Sequence, residues 1–293
     1  MDGETQTMPR RRAVALPGRG PGEMAILDYG PPERPVDVVF LHANGFNAMT
    51  YRSILSPLAR SFRILCVDQR GHGSTTLDAE VEGRADWLDL RDDLVAFLET
   101  TDLKDVVLSG HSMGGTASVL AAVEVPGRVK SLRLFDPVVV PNRGAQPEGA
   151  THSPLVEGAR RRRAVFPSRQ AALDAYRGRG AFRTWPEETL ADYVAGGFRD
   201  LPSGEVTLAC APAWEASSFM AHGHDTLTAF ERVTRPVHIL RAEEGSTCRI
   251  EEILPALEAS GRFHMETVPG TTHFLPMERP ELVRASLTEA VVG

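Results

Sequence analysis

Ser112 sits in the run Gly110-His111-Ser112-Met113-Gly114, a hydroxyl flanked two residues away on each side by glycine. The apolar, β-branched run Asp105-Val106-Val107-Leu108 leads in, and the Ala-rich segment Thr116 to Val123 leads out. A strand that turns sharply into a helix brings its flanking backbones too close for Cβ atoms, which is what the glycines allow. The turn lifts the Ser112 hydroxyl above the sheet edge. The Met113 amide and the helix N-terminus then face the point where an oxyanion would form. This is the layout of a serine that attacks a carbonyl.

Such a serine needs a base, and nine histidines compete for the role. The segment Gly270-Thr271-Thr272-His273-Phe274 follows the last apolar run and precedes a Pro-started helix. A histidine on a strand-end loop late in the chain fits the general base, so His273 is expected to take the Ser112 proton. His111 adjoins the serine but points the wrong way for a base, and is read with Phe46, Trp214 and Phe274 as substrate-binding. His222-Gly223-His224-Asp225 has two histidines two apart on a glycine loop and no matching distal ligands, so no metal is expected there. A second oxyanion donor is expected from His42-Ala43-Asn44-Gly45-Phe46, directly after the apolar run Val36–Leu41. The amide of Asn44 is the first candidate, Gly45 and Phe46 are alternatives, and His42 is expected to shape the loop.

Elements must hold these residues at one edge. Val36–Leu41 and Phe62–Val67 are nearly continuous apolar runs, the mark of parallel strands buried on both faces, and Val129–Phe135 reads as a further strand. Helical spacing separates them, at Met49–Arg60 and at Arg84–Thr100, where Trp87, Leu90, Leu94, Phe97 and Leu98 recur on one face. Ala13–Leu16 and Met24–Tyr29, divided by a Pro/Gly turn, predict an initial hairpin. After Pro137 the alternation stops, and helix-like pieces at Glu157–Val165, Ser168–Tyr176 and Glu187–Ala195 are broken by Gly and Pro. Alternation resumes at Pro236–Arg241, Ile250–Ser260, Phe263–Val268 and Pro280–Val292. The pattern predicts a mostly parallel eight-stranded α/β sheet with helices on both faces and an inserted helical cap. The core is expected over 13–140 and 227–293, the cap over 141–226, and disorder over 1–12.

The 293 residues are 42% hydrophobic and 24% charged, with a net charge of -7 that argues against a nucleic-acid partner. No apolar run reaches membrane-spanning length, and the polar start lacks an apolar secretory core. Three cysteines without motif spacing fit a reducing compartment, so a cytoplasmic location is expected. Oligomeric state is not legible. Arg160-Arg161-Arg162-Arg163 covers every side of a helix and is expected to be solvated. Trp185, Tyr193, Trp214 and Phe219 could line an apolar pocket in the cap.

Taken together, these segments resemble the α/β-hydrolase superfamily, over about residues 24–136 and 235–292. His42–Phe46 resembles the family's oxyanion loop, Asp68-Gln69-Arg70-Gly71-His72-Gly73 its D-x-R-G-x-G turn, Gly110–Gly114 its nucleophile elbow, and Gly270–His273 its histidine loop. The resemblance implies a third partner, an acid that usually follows the strand after the cap in a G-x-x-D pattern. Here that run is Leu240-Arg241-Ala242-Glu243-Glu244-Gly245-Ser246, with Gly245 at the aspartate position. The family's less common location, after the preceding strand, holds Asp136. Asp136 is the first choice, with Glu244 and Glu243 as alternatives. The resemblance implies a serine esterase acting on a small organic ester, lactone or thioester without metal or organic cofactor. The alternatives are a C–C bond hydrolase and a catalytically weak ligand receptor on the same fold.

Overall fold

Successive residues of a strand face opposite sides, so a strand that is apolar at every position must be covered twice. In β3 (Val38–Leu41), Val38 and Phe40 join one core cluster while Val39 and Leu41 join the other. The computed structural model describes residues 8–141 and 153–293. It contains an eight-stranded sheet built from β1 (Arg10–Ala15), β2 (Glu23–Tyr29), β3, β4 (Ile64–Val67), β5 (Val106–His111), β6 (Val129–Phe135), β10 (Val237–Glu244) and β11 (Phe263–Thr272). The spatial order is β1-β2-β4-β3-β5-β6-β10-β11. β1 and β2 pair antiparallel with each other, and β2 pairs antiparallel with β4; the remaining pairs are parallel. Helices α2 (Leu88–Thr100), α3 (Met113–Glu124), α8 (Thr226–Arg232) and α9 (Leu254–Ala259) cover one face, and α1 (Arg52–Leu55), α10 (Leu275–Glu278) and α11 (Pro280–Val292) the other.

Two expectations change. Arg10–Arg12, expected to be disordered, lie in β1, because Arg10 and Arg12 reach the buried carboxylate of Asp28 at 2.8 and 3.2 Å. Arg63 meets the same carboxylate at 3.0 Å. Residues 1–7 lie outside the described residues. The second change is in the segment between β6 and β10. Besides α4 (Pro154–Arg160), α5 (Arg169–Tyr176), α6 (Glu187–Gly197) and α7 (Pro212–Met220), it folds a three-stranded antiparallel sheet. That sheet has the order β7 (Val165–Phe166), β9 (Val206–Leu208), β8 (Phe198–Asp200). These strands are two or three residues long, below the length at which alternation can be read. Residues 142–152, inside the expected cap, lie outside the described residues.

One buried ion pair ties the turn after β4 to the helical layer. Asp93 on α2 takes a two-pronged contact from Arg70, Nε to Oδ2 at 2.7 Å and an amino nitrogen to Oδ1 at 2.7 Å. Arg19 from the first hairpin turn adds a third contact at 2.7 Å. All of Asp93 but 1% is covered. Removing one partner of a buried pair leaves the other charge desolvated, which costs about 3–5 kcal/mol. Asp93→Ala is therefore expected to lower the urea midpoint by that equivalent, and an unchanged midpoint would show that Arg70 and Arg19 find other partners.

Candidate active site

The backbone at Ser112 lies at φ 55 and ψ -122, in a region L residues rarely occupy. The glycines on either side make it possible. A Cβ on Gly110 would stand 2.5 Å from the carbonyl carbon of Gly114. A Cβ on Gly114 would collide with the carbonyl oxygens of Leu41 and, at 2.6 Å, His42. The elbow is thus wedged against the end of β3, the strand that carries the His42–Phe46 loop. Ser112 Oγ lies 3.0 Å from Nε2 of His273, and Nδ1 of His273 lies 2.6 Å from Oδ2 of Asp136.

Asp136 follows β6 with a positive φ of 43, is fully buried, and is surrounded by donors. Its Oδ1 accepts from the Ala242 amide at 3.0 Å and the Ser246 hydroxyl at 2.6 Å; its Oδ2 accepts from the Thr247 amide at 3.1 Å. Burial alone would raise this carboxyl. The bond from His273, the charge of its imidazole, and the bonds from Ser246 and Ala242 outweigh burial and hold it below the usual carboxylate range. Glu243 and Glu244 are exposed. Glu243 accepts the Gly270 amide at 2.8 Å, and neither meets the imidazole. The loop where the resemblance would put an acid instead supplies the donors that hold one.

His111 corrects its expected role. It is fully buried, and both ring nitrogens are spent. The Tyr51 hydroxyl donates to Nδ1 at 2.7 Å, and Nε2 donates to the carbonyl of His273 at 2.7 Å. Burial lowers this imidazole to about 3, so it is neutral and acts as a brace for the His273 loop. The same Tyr51 oxygen accepts from the Ala43 amide at 3.2 Å, which links that brace to the other loop. Sequence reading missed Tyr51; its only signal there is an aromatic residue in a helical segment.

The His42–Phe46 loop is held by two buried histidines. His42 donates from Nδ1 to the Ala43 carbonyl at 2.8 Å and accepts the Gln69 amide at Nε2, 2.9 Å. It shapes the loop, as expected, and burial lowers it to about 4. His72 of the D-x-R-G-x-G turn accepts the Gly45 amide at 3.0 Å. The Phe46 amide donates to Ala43 at 3.1 Å. With Gly45 and Phe46 spent, the Asn44 amide remains free, and so does that of Met113, among the described residues.

Phe46 and Phe274 stack at 6.2 Å between centroids, and Trp185 closes on both at 5.0 and 5.9 Å. Phe274 lies 5.8 Å from the His273 ring, so this aromatic wall borders that imidazole. Trp214 is not part of it. It is buried over Gly71, with the Arg84 guanidinium 4.0 Å above its ring. Arg162 likewise departs from the solvated face expected of its run. Its guanidinium meets Glu215 at 2.6 Å and the Tyr193 hydroxyl at 2.6 Å, while Arg160, Arg161 and Arg163 are exposed. Glu215 and Tyr193 in turn grip the loop: the Asn44 amide side chain donates to the Glu215 carbonyl at 3.0 Å, and Tyr193 donates to the Gly45 carbonyl at 3.3 Å.

A hydroxyl, an imidazole and a buried carboxylate in line can pass a proton from oxygen to nitrogen, and the unpartnered amides of Met113, next in the chain, and of Asn44, on the neighbouring loop, are donors that suit a negative oxygen. The chain belongs to the alpha/beta hydrolase family, whose model matches residues 38–286. Among similar proteins, the 2-(acetamidomethylene)succinate hydrolase of Mesorhizobium japonicum is 24% identical over 254 residues, 87% of each chain. Ethanol acetyltransferase 1 of Eremothecium cymbalariae is 34% identical over 116 residues, covering 39% of this chain and 31% of that one. The crystal structure of E-2-(acetamidomethylene)succinate hydrolase superposes with a TM-score of 0.80 at 22% identity, over 97% of this chain and 100% of that one.

The elbow gives a direct packing test. Gly114→Ala forces a methyl against backbone oxygens that cannot rotate away, and overpacking of this kind costs about 1–3 kcal/mol or more. Gly127→Ala, with nothing within 4 Å of the added carbon, is expected to stay within about 0.5 kcal/mol of wild type. Equal urea midpoints for the two variants would contradict the wedge.

Proposed function

We propose that the chain is a serine hydrolase that cleaves a carboxylic ester, lactone or thioester of a small organic substrate through an acyl-enzyme. The observation that carries this reading is the unbroken line from Asp136 to His273 at 2.6 Å and on to Ser112 at 3.0 Å. His273 Nε2 takes the Ser112 proton as Oγ bonds to the substrate carbonyl carbon. The amides of Asn44 and Met113 receive the oxyanion, each worth about 10²–10³ in rate. Protonated His273 then returns the proton to the leaving oxygen or sulfur, and water, activated by the same imidazole, releases the acid and restores the hydroxyl. Asp136 fixes the tautomer and steadies the imidazolium. None of these steps calls for a metal or organic cofactor. Phe46, Phe274 and Trp185 offer the acyl or ring portion an apolar wall. The three cysteines, all buried and unpaired, fit a reducing compartment.

A second reading is favoured by the Mesorhizobium relative, which aligns over most of both chains and is named for a substituted succinate. In that case the same residues cleave an acyl–nitrogen or C–C bond, and His273 protonates nitrogen or carbon. A panel of p-nitrophenyl esters, lactones, thioesters and N-acylaminomethylene succinates separates the two readings by turnover.

A fluorophosphonate probe is expected to label wild type and not Ser112→Ala. An unlabelled, folded wild type would overturn the enzyme reading in favour of a ligand receptor. Asp136→Asn is expected to cut ester turnover by about 10⁴, while Glu244→Gln leaves it nearly unchanged. The reverse pattern would transfer the acid role to Glu244.

A further inference from the structure

β10 and β11 run parallel at the edge of the sheet, in a register that sets His238 directly beside His264. The two imidazole centroids are 4.8 Å apart, with the rings tilted by 56°. Glu266 follows His264 by two residues and therefore projects from the same face of β11. One ligand atom from each of the three residues can be chosen so that all lie within 4.8 Å of one another. His264 and Glu266 are exposed, and His238 is half-buried with its Nε2 shut off from solvent and unpartnered. Among the described residues neither imidazole forms a hydrogen bond, so both rings are available to a ligand.

We propose that His238, His264 and Glu266 form a binding site for a divalent transition metal of the zinc, nickel or copper class. Imidazole nitrogen suits these ions, and a single carboxylate adds one negative charge and a harder third ligand. Ions of this class sit about 2.0–2.2 Å from nitrogen and oxygen, so tetrahedral ligands stand roughly 3.4 Å apart. The spread in the structure is wider. The exposed ends of His264 and Glu266 close it by turning inward, and open coordination positions are left to water. The opposing cation is Arg133, the register partner of His238 on β6. Its guanidinium is turned to the carbonyls of Ser286 and Leu132 at 3.2 and 3.4 Å, and Glu289 on α11 adds a compensating carboxylate to the same electrostatic surroundings. The site lies toward the N-terminal ends of β10 and β11, whereas the donors to Asp136, and His273 itself, lie at or beyond their C-terminal ends. A bound ion would therefore staple the outer strand pair and take no part in the reaction at Ser112. The inference stands independently of the proposed hydrolase chemistry.

Titration of the full chain with Ni²⁺ and with Zn²⁺ by isothermal calorimetry is expected to show one saturable ion per chain. His264→Ala, at an exposed position, keeps the fold, which a thermal melt without metal verifies. It should weaken binding by more than the roughly 10–100-fold typical of lost outer partners. Glu266→Gln should weaken it less. Because β10–β11 pairing is what brings the three ligands together, saturating Ni²⁺ should raise the Tm of wild type more than that of His264→Ala. Absence of saturable binding to wild type would overturn the proposal. So would binding that persists unchanged in the double variant His238→Ala/His264→Ala, which would put the ion elsewhere, for example at His222 and His224.

Discussion

The chain can pass from β5 to α3 through Ser112 only because hydrogen alone stands at positions 110 and 114. That close approach fixes three things together. It holds the serine in its positive-φ conformation, brings the end of β3 within contact of the turn, and starts α3 directly beneath the hydroxyl. The His42–Phe46 loop leaves β3 at the point where Gly114 touches it, so the spacing between that loop and the serine is set by backbone contact. No side chain intervenes to soften it.

The acid side obeys a different constraint, the desolvation of a charge. A fully buried carboxylate is tolerable only when its lone pairs are met. Asp136 is met from two directions, by the imidazole and by the end of β10 with the turn that follows it. Ala242, Ser246 and Thr247 all donate to it, and Thr247 Oγ1 also comes within 3.4 Å of Nδ1 of His273. The carboxylate that follows β6 and the donors of β10 and the turn after it form a single unit.

Much of this was legible in the residues. Gly110 and Gly114 bracket Ser112 so tightly that strand, turn and helix follow from steric reasoning alone. The apolar runs of β3, β4 and β5 announce a sheet covered on both faces. What escaped was information carried by long-range pairing. Nothing local in Arg10–Arg12 reveals that Asp28 waits across the hairpin, so a basic, polar start read as disorder. The arginine run looked uniform, yet only Arg162 is turned toward Glu215 and Tyr193, a choice made by the packing of α7 and α6. The two- and three-residue strands β7, β8 and β9 are too short for a period. His111 was legible as unfit for a base; its brace to Tyr51 and to the His273 carbonyl depends on two segments far from it in the chain.

The grip of the cap on the His42–Phe46 loop has a mechanical consequence. Glu215 and Tyr193 belong to the inserted segment, while Asn44 and Gly45 belong to the core, and the bonds between them cross that boundary. A cap that swung away as a rigid lid would have to release both residues, and would carry off the counter-charge network around Arg162 with them. The His42–Phe46 loop would then lose its outer support. Separating the inserted segment from the core and keeping the His42–Phe46 loop supported are therefore incompatible through these two bonds.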